Sequence, residues 1–316
     1  MGDDEIGLLA LLRTVPGWAT AELTVAPITT GLTNRNFRVA VAGEGTFVVR
    51  LPGERTEVLG IDRSCEAEAT RRAAALGIAP GVRGDLPGRH TLITEFVDGR
   101  PAEPDDFRDL DRLAAVVGLL KRFHASGPIS GQFPIFRVIE WHARDARAHG
   151  VEPPPLYETG LAVARRIEAA LARHPLAPVA CHNDLLPANV LFGTERAWLI
   201  DFEYAGMNDA FFDLANLSIN CALDPAADDE LLTLYFGTAA DPARARLALM
   251  KVMSELREGM WAVVQQAIST LDTVDFVAYA AEHLGRALEL AAEPVLTALL
   301  ERAAAPWPGA ATAGPG

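Results

Sequence analysis

Lysine is nearly absent from this chain: 316 residues contain two, Lys121 and Lys251. Any site that needs a cation elsewhere in the sequence has to use arginine. Basic residues are short as a class, 28 Lys and Arg against 42 Asp and Glu, for a formal charge of −14. That balance argues against a nucleic-acid or anionic-membrane surface binder, which would carry the opposite sign. Cysteine is scarce too. Cys65, Cys181 and Cys221 are odd in number, far apart and without a C-x-x-C pair. A disulfide framework is therefore not expected, and three free thiols suit a reducing compartment. No apolar run approaches the ~18 residues of a membrane-spanning helix. The opening Met-Gly-Asp-Asp-Glu-Ile has no basic region of a signal peptide, and Ile6 stands where a myristoylation signal needs Ser or Thr. A soluble cytoplasmic protein is the expectation. The seven histidines form no H-E-x-x-H, and no Cys/His cluster with zinc spacing occurs. There is no G-x-S-x-G elbow for a serine nucleophile.

What is present is a large apolar fraction, half of all residues. The length fits one large domain or two joined lobes, and the composition excludes a mainly disordered chain. Residues 5–12 suggest a short amphipathic helix. Residues 37–41 and 46–51 are β-branched and aromatic-rich around Gly43 and Gly45, which reads as a hairpin. A helix follows over 64–76, stopped by Gly77. A second hairpin is expected from 82–85 and 90–96 through Pro87-Gly88. Beyond residue 101 the spacing turns helical, over 111–124, 156–174, 228–236, 243–270 and 275–302. Pro153-Pro154-Pro155 reads as a linker between helices. Two strand-like runs interrupt the helices at 190–192 and 197–200. The Ala/Gly/Pro-rich tail, 304–316, is expected to be unpacked. The layout is α+β with two lobes. A small β-rich lobe covers 1–97, a larger helical lobe covers 98–303, and the crossing lies near 95–101. A joint between lobes is a usual place for a ligand cleft.

One segment carries most of the functional information: Cys181-His182-Asn183-Asp184-Leu185-Leu186-Pro187-Ala188-Asn189. It holds His182, Asp184 and Asn189 in an H-x-D-x-x-x-x-N spacing. Twelve residues after Asn189 comes Leu199-Ile200-Asp201-Phe202-Glu203, a hydrophobic strand delivering an Asp into a turn. In order and spacing the two features match the phosphoryl-transfer template of kinases. Asp184 would orient a substrate hydroxyl and accept its proton. Asn189 and Asp201 would hold Mg²⁺ through hard oxygen atoms, with ATP phosphates completing its shell. His182 would brace the loop. Each element alone could be a polar loop or a strand end; the joint match is what points to chemistry.

With Phe212-Asp213-Leu214-Ala215-Asn216 following, this region resembles the aminoglycoside phosphotransferase / choline kinase superfamily, a branch of the protein-kinase-like fold. Ile200 to Asn208 looks most like choline/ethanolamine kinases, the bacterial ones in particular. The resemblance runs over residues 29–279. It implies that the turn holding Gly31, Thr33 and Asn34 covers the ATP phosphates, and that backbone groups between Glu95 and Val97 meet the adenine. The cation expected on the third strand has to be Arg50, since both lysines lie in the helical lobe. Arginine can meet phosphate with two donors at once. Its partner is a carboxylate of the next helix, Glu66, with Glu68 the alternative.

The resemblance also implies an acceptor pocket for a small cationic amino alcohol, choline or ethanolamine, with Tyr204 and Trp261 as aromatic walls. Phe276 and Tyr279 are weaker candidates. The W-x-x-W pair of eukaryotic choline kinases has Glu258 at its first position here, and Asn220 stands where they carry a carboxylate. A less aromatic, more acidic pocket is expected, which suits ethanolamine or another small amino alcohol. Two other readings stay open. One is the same chemistry on an aminoglycoside, thiamine, homoserine or methylthioribose; the other is a nucleotide-binding module without catalysis. Oligomeric state is not legible.

Overall fold

In the computed structural model, residues 3–28, 34–53, 55–86 and 91–307 are described. The chain opens with helix α1 (Asp3–Leu12), then strands β1 (Leu23–Ile28), β2 (Asn34–Val41) and β3 (Gly45–Pro52). Helix α2 (Arg63–Ala75) and strands β4 (Val82–Leu86) and β5 (Thr91–Glu95) complete the small lobe. The strands form one antiparallel sheet in the order β1-β2-β3-β5-β4. Alternation along β2 and β3 sends Val39, Val41, Phe47 and Val49 to one face, where Leu8, Leu12, Val15 and Trp18 cover them. The other face carries Asn36 and Arg50, which sit opposite each other in the β2–β3 register, and looks into the cleft.

Strand β6 (Gly99–Pro101) carries the chain across and pairs with β8 (Val190–Gly193), which pairs with β9 (Ala197–Leu199). Helices α3 (Leu110–His124), α4 (Ile135–Ala148) and α5 (Leu156–Leu171) precede strand β7 (Val179–Cys181). Strand β10 (Gly206–Asn208) pairs antiparallel with β7. Then come α6 (Ala210–Asn220), α7 (Pro225–Phe236), α8 (Asp241–Ile268), α9 (Phe276–Leu290) and α10 (Val295–Ala303). The 28-residue α8 is buried on almost every side between Arg246 and Gln265, as befits a helix in the middle of a lobe. Part of the acidic surplus goes to helix starts. Asp62, Asp109, Asp209, Asp224 and Asp275 each accept backbone N–H groups of the first turn. All three cysteines are free and buried. Among the described residues, no helix is long and apolar enough to cross a membrane.

Both expected hairpins form, the turn of the second lying outside the described residues. Two expectations are corrected. The helix read over 275–302 is two, α9 and α10, because Pro294 has no N–H to donate and disfavours helix in the residue before it. The tail expected to be unpacked from residue 304 stays packed as far as Trp307. This side chain is 6% exposed and meets Phe211 and Phe236 edge-on at 5.8 and 4.7 Å between ring centres. Residues 308–316 lie outside the described ones. Helices α4 and α6 add to what the spacing predicted.

Trp307→Ala is expected to destabilise the large lobe by about 3 kcal/mol, the usual loss on deleting a buried Trp. Urea denaturation of the full chain measures it; a change under 1 kcal/mol would show that the C-terminal segment does not belong to the core.

Candidate active site

The segment between β7 and β8 is held by a carboxylate that water does not reach. Asp213, fully buried on α6, accepts the N–H of His182 (2.8 Å) and of Asn183 (2.7 Å). It also meets His124 Nε2 at 2.9 Å, while His124 Nδ1 meets the Tyr235 hydroxyl at 2.6 Å. Burial pushes the Asp213 carboxyl up, but His124 and His182 outweigh it and hold it below the ordinary value. Asn183 takes a left-handed backbone, φ 64°, which Asn tolerates better than most residues. Its side chain donates to Tyr204 O and accepts from Asn208 Nδ2 at 2.8 Å. The result is a rigid turn that presents Asp184.

Asp184 is 9% exposed. Burial raises its carboxyl to about 6, with Arg257 opposing and Glu258 and Asp201 adding to the rise. Asn189 donates its Nδ2 to Asp184 O (2.8 Å) and Oδ2 (3.2 Å). This leaves its amide oxygen, a hard ligand, turned away from Asp184. His182 sits under Asp201: its Nε2 meets Ile200 O at 2.8 Å and its ring packs on Phe202 at 4.7 Å. His182 thus links the turn that carries Asp184 to the backbone just before Asp201.

Asp201 follows Ile200, whose N–H donates to Asn189 O at 3.0 Å, and stands at φ 68° with its side chain 25% exposed. Arg50 reaches it at 2.5 Å and Glu66 at 2.9 Å. Glu68 instead pairs with Arg72 and accepts the Ser130 N–H, so Glu66 is the carboxylate that meets Arg50. Burial pulls the Arg50 guanidinium down, yet Asp201, Glu66 and Glu203 together raise it; it is permanently charged. Asn34 does not stand free over the cleft. It donates to Glu203 Oε2 (2.8 Å) and accepts from Arg63 Nη2 (3.0 Å). Arg63 also bridges Glu66 (2.7 Å) and Glu203 (3.2 Å). Burial and Asp201 push the Glu203 carboxyl up to about 8 against Arg50, Asn34 and Arg63. Gly31 and Thr33 lie outside the described residues.

Between the lobes is a cavity of about 380 Å³ whose walls include Val48, Ala79, Leu92, Phe96, Leu191 and Ile200, with Arg50 and Asp201 also lining it. That volume suits a small-molecule ligand. Glu95 and Phe96 donate their N–H groups to Gly81 O (2.7 Å) and Thr46 O (2.9 Å). Val97 follows them on the cavity wall.

On the far side of Asp184 stand Tyr204, Glu258 and Trp261, brought together as expected. Trp261 Nε1 donates to the Tyr204 hydroxyl at 2.9 Å. Tyr279 donates to Glu258 Oε1 at 2.8 Å, and Trp261 meets Phe276 and Tyr279 edge-on. Gly259 allows the close approach of α9 that brings Tyr279 there, since a Cβ would lie 2.7 Å from Leu284 Cγ. Asn220 turns its amide to Leu185 O.

Three residues of this constellation were not read as site residues: Arg63, Glu203 and Arg257. Arg63 opens α2, where the helix dipole disfavours a cation. Arg257 lies four residues before Trp261, on a face of α8 that is buried. Charges in such places demand partners, and that was the available signal.

As a cation site, Asn189 and Asp201 offer hard oxygen atoms, with no sulfur or imidazole, and Asp201 lines the cavity between the lobes. The donor set fits Mg²⁺.

A family model for the phosphotransferase enzyme family matches residues 24–249. The chain belongs to this family. The phosphotransferase is 27% identical to human ethanolamine kinase 2 over 309 residues, covering 87% of this chain and 78% of that one. Its fold matches the choline/ethanolamine kinase family protein of Mesorhizobium loti with a TM-score of 0.80 at 31% identity, over 95% of this chain and 99% of that one. A structure of LicA in complex with AMP matches at TM-score 0.73 and 20% identity, over 99% and 100%; this last likeness is one of fold. The phosphotransferase thus has the protein-kinase-like two-lobed fold and transfers a phosphoryl group to an alcohol.

Asp213→Asn is expected to destabilise the phosphotransferase by about 3 kcal/mol, as for one partner removed from a buried pair. Because the folded carboxyl lies below its ordinary value, its contribution is complete above about pH 3.9 and is lost as pH falls through the folded value. Denaturation from pH 7 to 3 should therefore give a shallower acid limb in the variant. An unchanged acid limb would remove Asp213 as a source of the pH dependence.

Proposed function

We propose that this phosphotransferase is an ATP- and Mg²⁺-dependent kinase for the hydroxyl of a small amino alcohol, ethanolamine or choline. The observation that carries the reading is the position of Asp184. It lies between Asn189, with Asp201 beyond, on the cleft side and an aromatic, carboxylate-bearing group on the other. The names of the relatives support the acceptor class, and the AMP complex of LicA supports nucleotide use. Asn189 and Asp201 would hold Mg²⁺, which when bound neutralises phosphate charge. Arg50, fixed by Glu66, presents its guanidinium to the phosphates. Gly31 and Thr33 would cover them, while Asn34, held by Glu203 and Arg63, ties the start of β2 to this charged group. With Glu95 and Phe96 N–H groups committed to the sheet, the N–H that meets adenine is that of Val97, beside the Glu95 backbone. Asp184, mostly ionised at neutral pH, accepts the hydroxyl proton as the oxygen attacks the γ-phosphorus and ADP leaves. Tyr204, Glu258 and Trp261 border the acceptor. A cytoplasmic location and no nucleic-acid partner belong to the same proposal.

ADP release is measured with Mg²⁺-ATP across ethanolamine, choline, thiamine, homoserine, methylthioribose and kanamycin. Turnover with either of the first two is expected; turnover only with another acceptor would replace the acceptor reading and keep the rest. Binding of Mg²⁺-ATP without any turnover would favour a non-catalytic module. Asp184→Asn should lower kcat by about 10² to 10⁴ with the affinity for Mg²⁺-ATP retained; unchanged turnover would remove it as the base.

The two helix carboxylates are separable. Glu66→Ala should lower kcat/KM for ATP about tenfold or more by misplacing Arg50, while Glu68→Ala should stay within about twofold of the parent. Equal losses would detach Arg50 from the nucleotide.

A further inference from the structure

The pocket expected to cage a substrate cation already contains one. The Arg257 guanidinium carbon lies 4.4 Å from the centre of the Tyr204 ring and 6.0 Å from that of Phe133. Its Nη1 meets Glu258 Oε2 at 2.8 Å and Asp184 Oδ1 at 3.3 Å. The aromatic face and both carboxylates that would attract an ammonium are thus engaged by a fixed side chain. Tyr204 and Trp261 are 6% and 7% exposed, and their polar ends bond to each other.

This placement is poor for stability. Arg257 is 2% exposed, and its Nε and Nη2 have no protein partner. Buried donors without partners are expensive, and an apolar side chain of similar volume is often the more stable choice at such a position. A guanidinium kept there beside the base points to a role toward the acceptor.

Building on the amino-alcohol reading, we infer that Arg257 is a specificity-determining residue that fills the aromatic cage from within and selects a primary ammonium over a quaternary one. Quaternary ammonium binding relies on open π faces, because the group has no N–H to donate. A primary ammonium has three donors. The Glu258 oxygens each accept one bond, from Tyr279 or Arg257, and keep a further lone pair. Charge agrees: two carboxylates and one guanidinium leave one negative charge over, enough for one small cation. Bulky methyl groups in place of N–H would meet neither a bond nor a free ring.

The test is initial-rate kinetics of the full chain at saturating Mg²⁺-ATP with ethanolamine, its N-methyl and N,N-dimethyl derivatives, and choline. For the parent, kcat/KM should fall with each methyl, by about tenfold or more in all. Arg257→Met should raise the choline-to-ethanolamine ratio about tenfold, chiefly through a lower KM for choline. A parent that uses choline as well as ethanolamine would overturn the assignment. So would a folded Arg257→Met variant with unchanged KM for ATP and an unchanged ratio. If that variant melts below the assay temperature, the parent series decides alone, a flat series being the overturning result. No turnover with any of the four alcohols, with Mg²⁺-ATP still bound, would instead remove the amino-alcohol reading on which the inference stands.

Discussion

A guanidinium shut away from water has to be met by carboxylates, and Arg50 is met from both lobes. It leaves β3, crosses to Glu66 on α2 and touches Asp201 at the head of the large lobe. Arg63 extends the chain of charge to Glu203 and, through Asn34, back to the start of β2. Each member is buried or half-buried, so none can be removed without stranding its neighbour in a medium that solvates charge poorly. The small sheet, the first helix of the cleft and the strand that delivers Asp201 are therefore placed relative to one another by electrostatics as much as by apolar packing.

The same rule shapes the turn that carries Asp184. Asp213 has no water and is met by two backbone N–H groups and an imidazole. That carboxylate helps set the direction of Asp184, because both donated N–H groups immediately precede it. Asp184 itself has a mixed environment: burial raises its carboxyl, and Arg257 limits the rise. A carboxyl in such surroundings is ionised near neutral pH yet still able to take a proton, the compromise that the general-base role proposed for Asp184 asks for.

Much of this was legible in the chain because the signals are local. The H-x-D-x-x-x-x-N run, the strand ending in Asp201, the β2–β3 hairpin and the stop at Gly77 are each written within a few residues. The shortage of lysine pointed to Arg50. What escaped depends on distance along the chain or on burial all round. Helix α6 is buried on nearly every side, so it shows little amphipathic period. The break at Pro294 was present in the sequence but lay inside a continuous apolar pattern. Arg257 was hidden for another reason. Its partners Tyr204 and Asp184 come from a different part of the chain, and only the fold shows that the aromatic wall expected to receive a ligand receives this arginine instead. The expected acidity of the pocket changes with it, since Glu258 arrives with its own counter-charge.

The burial of all three thiols has a practical side. Cys65, Cys181 and Cys221 are each no more than 3% exposed, so the native chain is a quiet background for thiol-directed labelling. A cysteine introduced at exposed Ala42 in the β2–β3 turn and another at exposed Thr273 between α8 and α9 would carry a fluorophore pair, one on each lobe. No native cysteine would have to be removed, and energy transfer between the dyes would then follow the separation of the lobes in solution as nucleotide and acceptor are added.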